Sequence, residues 1–265
     1  MPFLPHLRRL IRLPPLLVHV ALGVAVINLA VRLDRLCKTR LARRSQIFWC
    51  RSLCFLLGIR IQRQGSALVN GPALLACNHV SWLDILVISA HCEVAFLSKA
   101  EVRAWPGVGG VATSLGTLYI QRGMRDAAAQ TIQVMTRRLQ AGGRVLFFPE
   151  GTTGNGDALL PFRPRLFQAA IDAGVPVQPL AIRYVCRKSG EKSELAPFVG
   201  NQPLLAHVIA LAGASTIDAC LTLDESLPSQ EAGRSELAVR VQGRVQAALS
   251  PVPELPEPDS AVTKR

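Results

Sequence analysis

The sequence predicts an α/β layered domain with an N-terminal membrane-embedded helical segment. Three observations carry this. Beyond Gly65, short apolar runs alternate with longer segments of helical period, and interleaved strands and helices pack as layers. Leu13 to Val31 is 19 residues without a formal charge. The cations gather around that stretch: residues 1–63 hold 12 Lys+Arg and one acid, Asp34, for a net +11, whereas residues 64–265 hold 18 basic and 17 acidic residues, for a net +1. The chain's total of +12 therefore belongs to one end. A nucleic-acid-binding protein would carry its charge on the main domain, so the distribution argues against that class.

Taken in order, Arg8, Arg9 and Arg12 precede the apolar stretch, and Arg32, Arg35, Lys38, Arg40, Arg43 and Arg44 follow it. A cleaved signal peptide would show a small-residue cleavage site and few cations beyond it. Pro14 and Pro15 fit a helix start, leaving about 16 apolar residues, or roughly 24 Å of helix, against a hydrocarbon core of about 30 Å. A second apolar run, residues 46–59, contains Arg51 and is too short to span. Two arrangements follow. One is a helical hairpin dipped into one leaflet with its cations on anionic headgroups. The other is a single transmembrane helix followed by a core helix. Both give a membrane protein, and where the first helix spans, the cations after it hold the main domain on the cytoplasmic face, in bacteria that of the inner membrane.

Within the main domain, 64–249, strands are expected at 72–77, 94–98, 116–122, 144–148, 175–184 and 216–223. Helices are expected over 125–143, closed by Gly142 and Gly143, over 165–174, stopped by Gly174, and over 231–249. The proline-rich tail, 250–265, has no periodicity and reads as disordered. The seven cysteines include no C-x-x-C pair, read as reduced thiols, and offer no metal-ligand spacing.

The chemistry gathers in three stretches. In "CNHVSWLDI", His79 and Asp84 are five apart. A continuous helix would separate them by roughly 140° beyond a full turn. With His79 on a strand-to-helix turn, Ser81 as N-cap and Asp84 in the first helical turn, the two side chains can meet. A carboxylate on one imidazole nitrogen leaves the other as a general base. No G-x-S-x-G follows, so the base activates a substrate hydroxyl or water. In "FFPEGTTG", a buried strand runs out into Glu150, Gly151 and Thr152, where ligands of layered α/β domains often bind. In "GTLYIQR", Arg122 ends an apolar strand, where a guanidinium can clamp an anion. Each residue alone is more often a cap or a solvated loop side chain.

In this order the motifs N-H-x-x-x-x-D, G-x-x-x-I-x-R, F-P-E-G-T and "VPVQPLAIRY" resemble the glycerolipid acyltransferases, the lysophosphatidate acyltransferase family, over about residues 65–225. The resemblance implies an acyltransferase domain in which His79 is the base and Asp84 its partner. Arg122, with Lys99 and Arg163, would meet the acceptor's anionic group, and Glu150, Gly151 and Thr152 would hold the acceptor. It implies O-acyl transfer from acyl-CoA or acyl carrier protein to 1-acylglycerol 3-phosphate, giving phosphatidate, with no cofactor and no metal. Thr153 and Gly154 stand where many members have arginine and serine, and Arg165 where many have glycine. "SWLDI" with "FPEGTT" also resembles the branch that acylates lyso-ornithine lipids, so that acceptor is the alternative. A non-catalytic membrane adaptor is the remaining one.

Overall fold

A computed structural model describes residues 3–37, 41–104, 108–114, 116–120, 126–230 and 232–250. Its centre is a seven-stranded sheet: β1 (Ile59–Gly65), β2 (Ala73–Cys77), β3 (Ala95–Lys99), β4 (Leu118–Ile120), β5 (Arg144–Phe147), β6 (Val177–Cys186) and β7 (Ile217–Leu223). Their spatial order is β1-β7-β6-β2-β5-β3-β4. β6, β2, β5, β3 and β4 run parallel, β7 runs antiparallel to β6, and β1 pairs parallel with β7. The C-terminal ends of five strands therefore share one edge of the sheet.

β2 is apolar at every position and wholly buried. A parallel sheet covered on both faces demands such a strand. Its residues alternate between two cores. Leu75 and Cys77 join Leu180, Ile182 and Tyr184 under α2 (Leu41–Leu56), α3 (Leu83–Ser89) and α7 (Leu204–Gly213). Leu74 and Ala76 join Val145, Phe147 and Val177 under α5 (Ala127–Gln140), α6 (Gln168–Ala173) and α8 (Arg234–Leu249). The α4 helix (Val108–Ser114) lies between β3 and β4 in the chain.

The expected strands and helices of the main domain are all present within a few residues. The strand expected to end at Arg122 is described only to Ile120, and the tail is described only at Ser250. Three elements were not anticipated, β1, α4 and α7. The boundary placed after residue 63 falls inside β1, because only Ile59 and Ile61 give that strand an apolar face.

The N-terminal helix also differs from its expected form. α1 spans Phe3–Cys37, so Pro14 and Pro15 lie inside it. Each proline removes a helical hydrogen bond. Docking against the rest of the protein holds the helix continuous. Arg12 Nη1 donates to Ala214 O at 2.9 Å and to Ala212 O at 3.3 Å, satisfying carbonyls at the C-terminal end of α7. Gly23 faces the Trp49 indole of α2 so closely that a Cβ there would lie 1.9 Å from Nε1. Trp49 Nε1 in turn donates to His19 O at 3.2 Å. Asp34, the one acid of the basic segment, accepts from Leu41 N and Ala42 N at 2.8 and 3.0 Å and so starts α2. α1 and α2 thus form a hairpin. One side of α2 packs Cys50, Leu53 and Cys54 into the core, and Phe48 and Phe55 project outward at 69% and 80% exposure. By length and composition α1 can cross a membrane.

The Arg12 tie makes the hairpin part of the fold. Arg12→Ala should lower the thermal unfolding midpoint in detergent, by the equivalent of about 1.5–3 kcal/mol for charge-assisted hydrogen bonds. An unchanged midpoint would mean that this end of α1 contributes nothing to the fold.

Candidate active site

His79 and Asp84 meet as the turn between β2 and α3 allows. Beyond Cys77, Asn78 bonds across to β6 in both directions: its Nδ2 donates to Ile182 O at 2.9 Å, and its Oδ1 accepts from Ile182 N at 2.8 Å. This side-chain rung pins the turn to the sheet. Asp84, fully buried in the first turn of α3, then points back. Its Oδ2 lies 2.7 Å from His79 Nδ1 and accepts from Val80 N and Ser81 N at 2.8 and 3.0 Å. Its Oδ1 accepts from the Tyr184 hydroxyl at 2.7 Å. Burial, reinforced by the Asp84 charge, pushes the Tyr184 phenol well above its ordinary range, so it stays a donor.

Ser81 is not the cap expected of it. The residue flanking α3 is Trp82, and Ser81 Oγ is buried without a partner among the described residues. The Asp84 carboxylate supplies the capping bond instead, while also holding the imidazole. One carboxylate therefore makes the capping bonds and the contact with the imidazole together.

A carboxylate on Nδ1 makes that nitrogen the donor and leaves Nε2 to accept a proton. The imidazole stacks on Phe148, centroid to centroid 3.8 Å and 9° from parallel, with 18% of its side chain exposed. Its backbone is clamped as well: His79 N donates to Glu150 Oε1 at 2.7 Å, and Gly154 N donates to His79 O at 2.7 Å.

Glu150 was expected to accept hydrogen bonds from the acceptor. It is 4% exposed, and its other oxygen accepts from Leu160 N at 3.1 Å. Both oxygens are committed to the backbone, so it braces the loop under His79. Burial raises its pKa, against the pull of those two N–H groups. Gly151 follows with φ of 73°, and a Cβ on it would lie 3.1 Å from Arg163 Nη1. The Arg163 guanidinium therefore rests on this glycine. Thr152 and Arg163 are exposed beside it. Lys99 ends β3, on the sheet edge that carries His79. Arg122 lies outside the described residues.

On the other side of His79 a cleft of about 550 Å³ opens between the loop 154–159 and β6. Arg183, Lys192 and Asp157 line it. These residues, with Asn78, Phe148 and Tyr184, were given no role of their own in the sequence, although Asn78 and Phe148 stand in its motifs. The polar end of the strand "VPVQPLAIRY" was the available signal for Arg183 and Tyr184.

An imidazole oriented by a buried carboxylate is the arrangement that general-base chemistry requires. Cys77, two residues before His79, is no nucleophile, since full burial pushes its thiol well above the ordinary range. The chain belongs to the acyltransferase family, whose model matches residues 58–183, across the His79 turn and the Glu150 loop. It is 41% identical over 247 residues to a lyso-ornithine lipid O-acyltransferase of Pseudomonas aeruginosa, covering 92% of this chain and 94% of that protein. It is 32% identical to the lyso-ornithine lipid O-acyltransferase of Rhizobium meliloti, covering 76% and 73% of the two chains. A 1-acyl-sn-glycerol-3-phosphate acyltransferase of Neisseria gonorrhoeae is 41% identical over 128 residues, covering 48% and 50%. The fold matches the crystal structure of the 1-acyl-sn-glycerophosphate acyltransferase PlsC from Thermotoga maritima, with a TM-score of 0.67, 20% identity and coverage of 91% and 96%. The protein is thus an enzyme, an acyltransferase of the lysophospholipid type. In this family the acyl donor is a substrate, and no cofactor is needed.

Two outcomes are expected at this site. Tyr184→Phe removes one of four hydrogen bonds on Asp84 and should lower kcat about tenfold, leaving both KM values unchanged. Full activity would make the hydroxyl a purely structural donor. Glu150 has a folded pKa above its ordinary value, so its contribution to stability is complete below that ordinary value and is lost as pH rises through the folded one. Unfolding followed against pH should show this slope in the wild type and a flatter profile in Glu150→Gln.

Proposed function

We propose that the protein transfers a fatty acyl group from an acyl thioester, on coenzyme A or acyl carrier protein, to the hydroxyl of a lyso-ornithine lipid. The observation that carries this choice is the reach of the kinship. The likeness to the Pseudomonas lyso-ornithine lipid acyltransferase runs over almost the whole chain and that to the Rhizobium one over three quarters of it, whereas the likeness to the Neisseria 1-acylglycerol-3-phosphate enzyme spans about half. The sequence motifs put 1-acylglycerol 3-phosphate first, and this finding reverses that order. Thr153 and Gly154, where phosphate-binding relatives often have arginine and serine, support the same choice.

In this reading His79 Nε2 takes the hydroxyl proton as the oxygen attacks the thioester carbonyl. The C–S bond breaks, and the imidazolium returns the proton to the leaving thiolate. Asp84 stabilises the imidazolium and holds Nε2 toward the substrate. Glu150 and Tyr184 act through these two as positioning residues. Lys99, Arg122 and Arg163 bind an anionic group of a substrate, and Gly151 and Thr152 shape the loop beside it. The enzyme works at a membrane surface. The exposed apolar side of the α1–α2 hairpin enters the lipid, and the cations around residues 32–44 keep the catalytic domain cytoplasmic.

His79→Ala should lower transfer by about 10²–10⁴-fold, and Asp84→Asn should also be severe. Detergent-purified wild type, given equal concentrations of lyso-ornithine lipid and 1-acylglycerol 3-phosphate with a radiolabelled acyl thioester, should label the ornithine lipid first. Preferential labelling of phosphatidate would overturn the acceptor, and wild-type turnover by the His79 variant would overturn the mechanism.

A further inference from the structure

The cleft between the loop 154–159 and β6 has a charge pattern that bears on what enters it. Its lining includes two cations, Arg183 and Lys192, and two carboxylates, Glu150 and Asp157. A phosphate monoester, close to a dianion at neutral pH, would find no net attraction there and would meet the exposed Asp157 carboxylate. A zwitterion finds a partner for each end. Asp157 and Lys192 are already paired, and Lys192 also reaches Glu194 at 3.2 Å. Asn155 Nδ2 donates to the other Asp157 oxygen. Arg183 differs: it is half-buried, and its Nε is shielded from solvent with no hydrogen-bond partner among the described residues. A buried donor left unpaired costs free energy, and a guanidinium edge of Nε and Nη matches a carboxylate in two parallel bonds.

We propose that this mixed-charge cleft is the headgroup site for the acceptor, and that it selects a zwitterionic amino-acid headgroup over a phosphate. Arg183 receives the carboxylate. Asp157 receives the side-chain ammonium, with Lys192 moving to Glu194. The inference rests on the lyso-ornithine reading above and assigns its specificity to residues. Reach is consistent with it. β2 and β6 are neighbours paired at Cys77 and Leu180, and both run out at the edge that carries His79. In an N-(3-hydroxyacyl)ornithine, roughly six bonds separate the reacting oxygen from the carboxylate carbon, at most about 8 Å by ordinary bond lengths. Adjacent strands lie about 4.8 Å apart, so one acceptor can touch both sites. The cations on the β5–β3–β4 side then remain for the phosphates of the acyl donor.

The test uses full-length enzyme in detergent with lyso-ornithine lipid, its carboxyl methyl ester and 1-acylglycerol 3-phosphate. For the wild type, esterification should lower kcat/KM about 10- to 100-fold, mainly through KM, as expected for loss of a charge-assisted pair. Arg183→Gln should lower kcat/KM for the free acid by a similar factor and treat acid and ester alike within about threefold. Arg183→Lys, which keeps the charge and loses the fork, should fall between them. Asp157→Asn should weaken the free acid and leave its advantage over the ester intact. The wild-type ester comparison requires no variant to fold. A wild type that prefers the ornithine lipid but ignores esterification would overturn the headgroup site alone, as would an Arg183→Gln enzyme that still discriminates. A wild type that prefers 1-acylglycerol 3-phosphate would overturn the acceptor assignment, and this inference with it.

Discussion

The site depends on the burial of one carboxylate. Asp84 is fully buried and accepts from four donors: the His79 ring, two backbone N–H groups of the turn, and the Tyr184 hydroxyl. A charge in that position is tolerable only if its hydrogen-bonding capacity is met. Meeting it forces the chain to leave β2, turn at once and enter α3. The same interactions orient the imidazole, start the helix and tie both to β6. Removing the carboxylate would leave its donors unsatisfied together, so the catalytic geometry and the local fold share one origin.

That coupling explains what was legible in the sequence. The His79–Asp84 pair could be read because its logic is local: five residues, a strand end and a helix start. Tyr184 could not, because its partner lies 100 residues away in the chain and only the β2–β6 register brings them together. Asn78 is similar, bonding to a residue 104 positions away. Glu150 was read as an acceptor-holding residue from the resemblance, since a glutamate after a strand is by itself more often a solvated loop side chain. Its burial follows from the loop 154–160 folding over it, which no local pattern announces.

The start of the first helix was misplaced for a related reason. Two prolines near the start of an apolar stretch are a sound helix-start signal when only local chemistry acts. Here tertiary contacts prevail: Arg12 on α7, and Gly23 against Trp49. β1 escaped notice because it has few apolar residues, set between charges and glutamines. α7 is so uniformly apolar that periodicity gives no direction.

Neighbouring residues of β6 face opposite ways. Tyr184 packs with Ile182 in one core and bonds to Asp84, Arg183, one residue earlier, lies on the opposite face of the strand, and both border the cleft. Successive side chains of a strand alternate strictly, and a slip of one residue would exchange them. In the proposed mechanism, recognition and chemistry therefore fall to successive residues of one strand. A lineage changing its lipid can replace the side chain at 183, but it cannot insert or delete a residue in this strand without uncoupling the base from its support. Diversification at this edge should proceed by substitution within a fixed frame, while the loops on either side are free to change length.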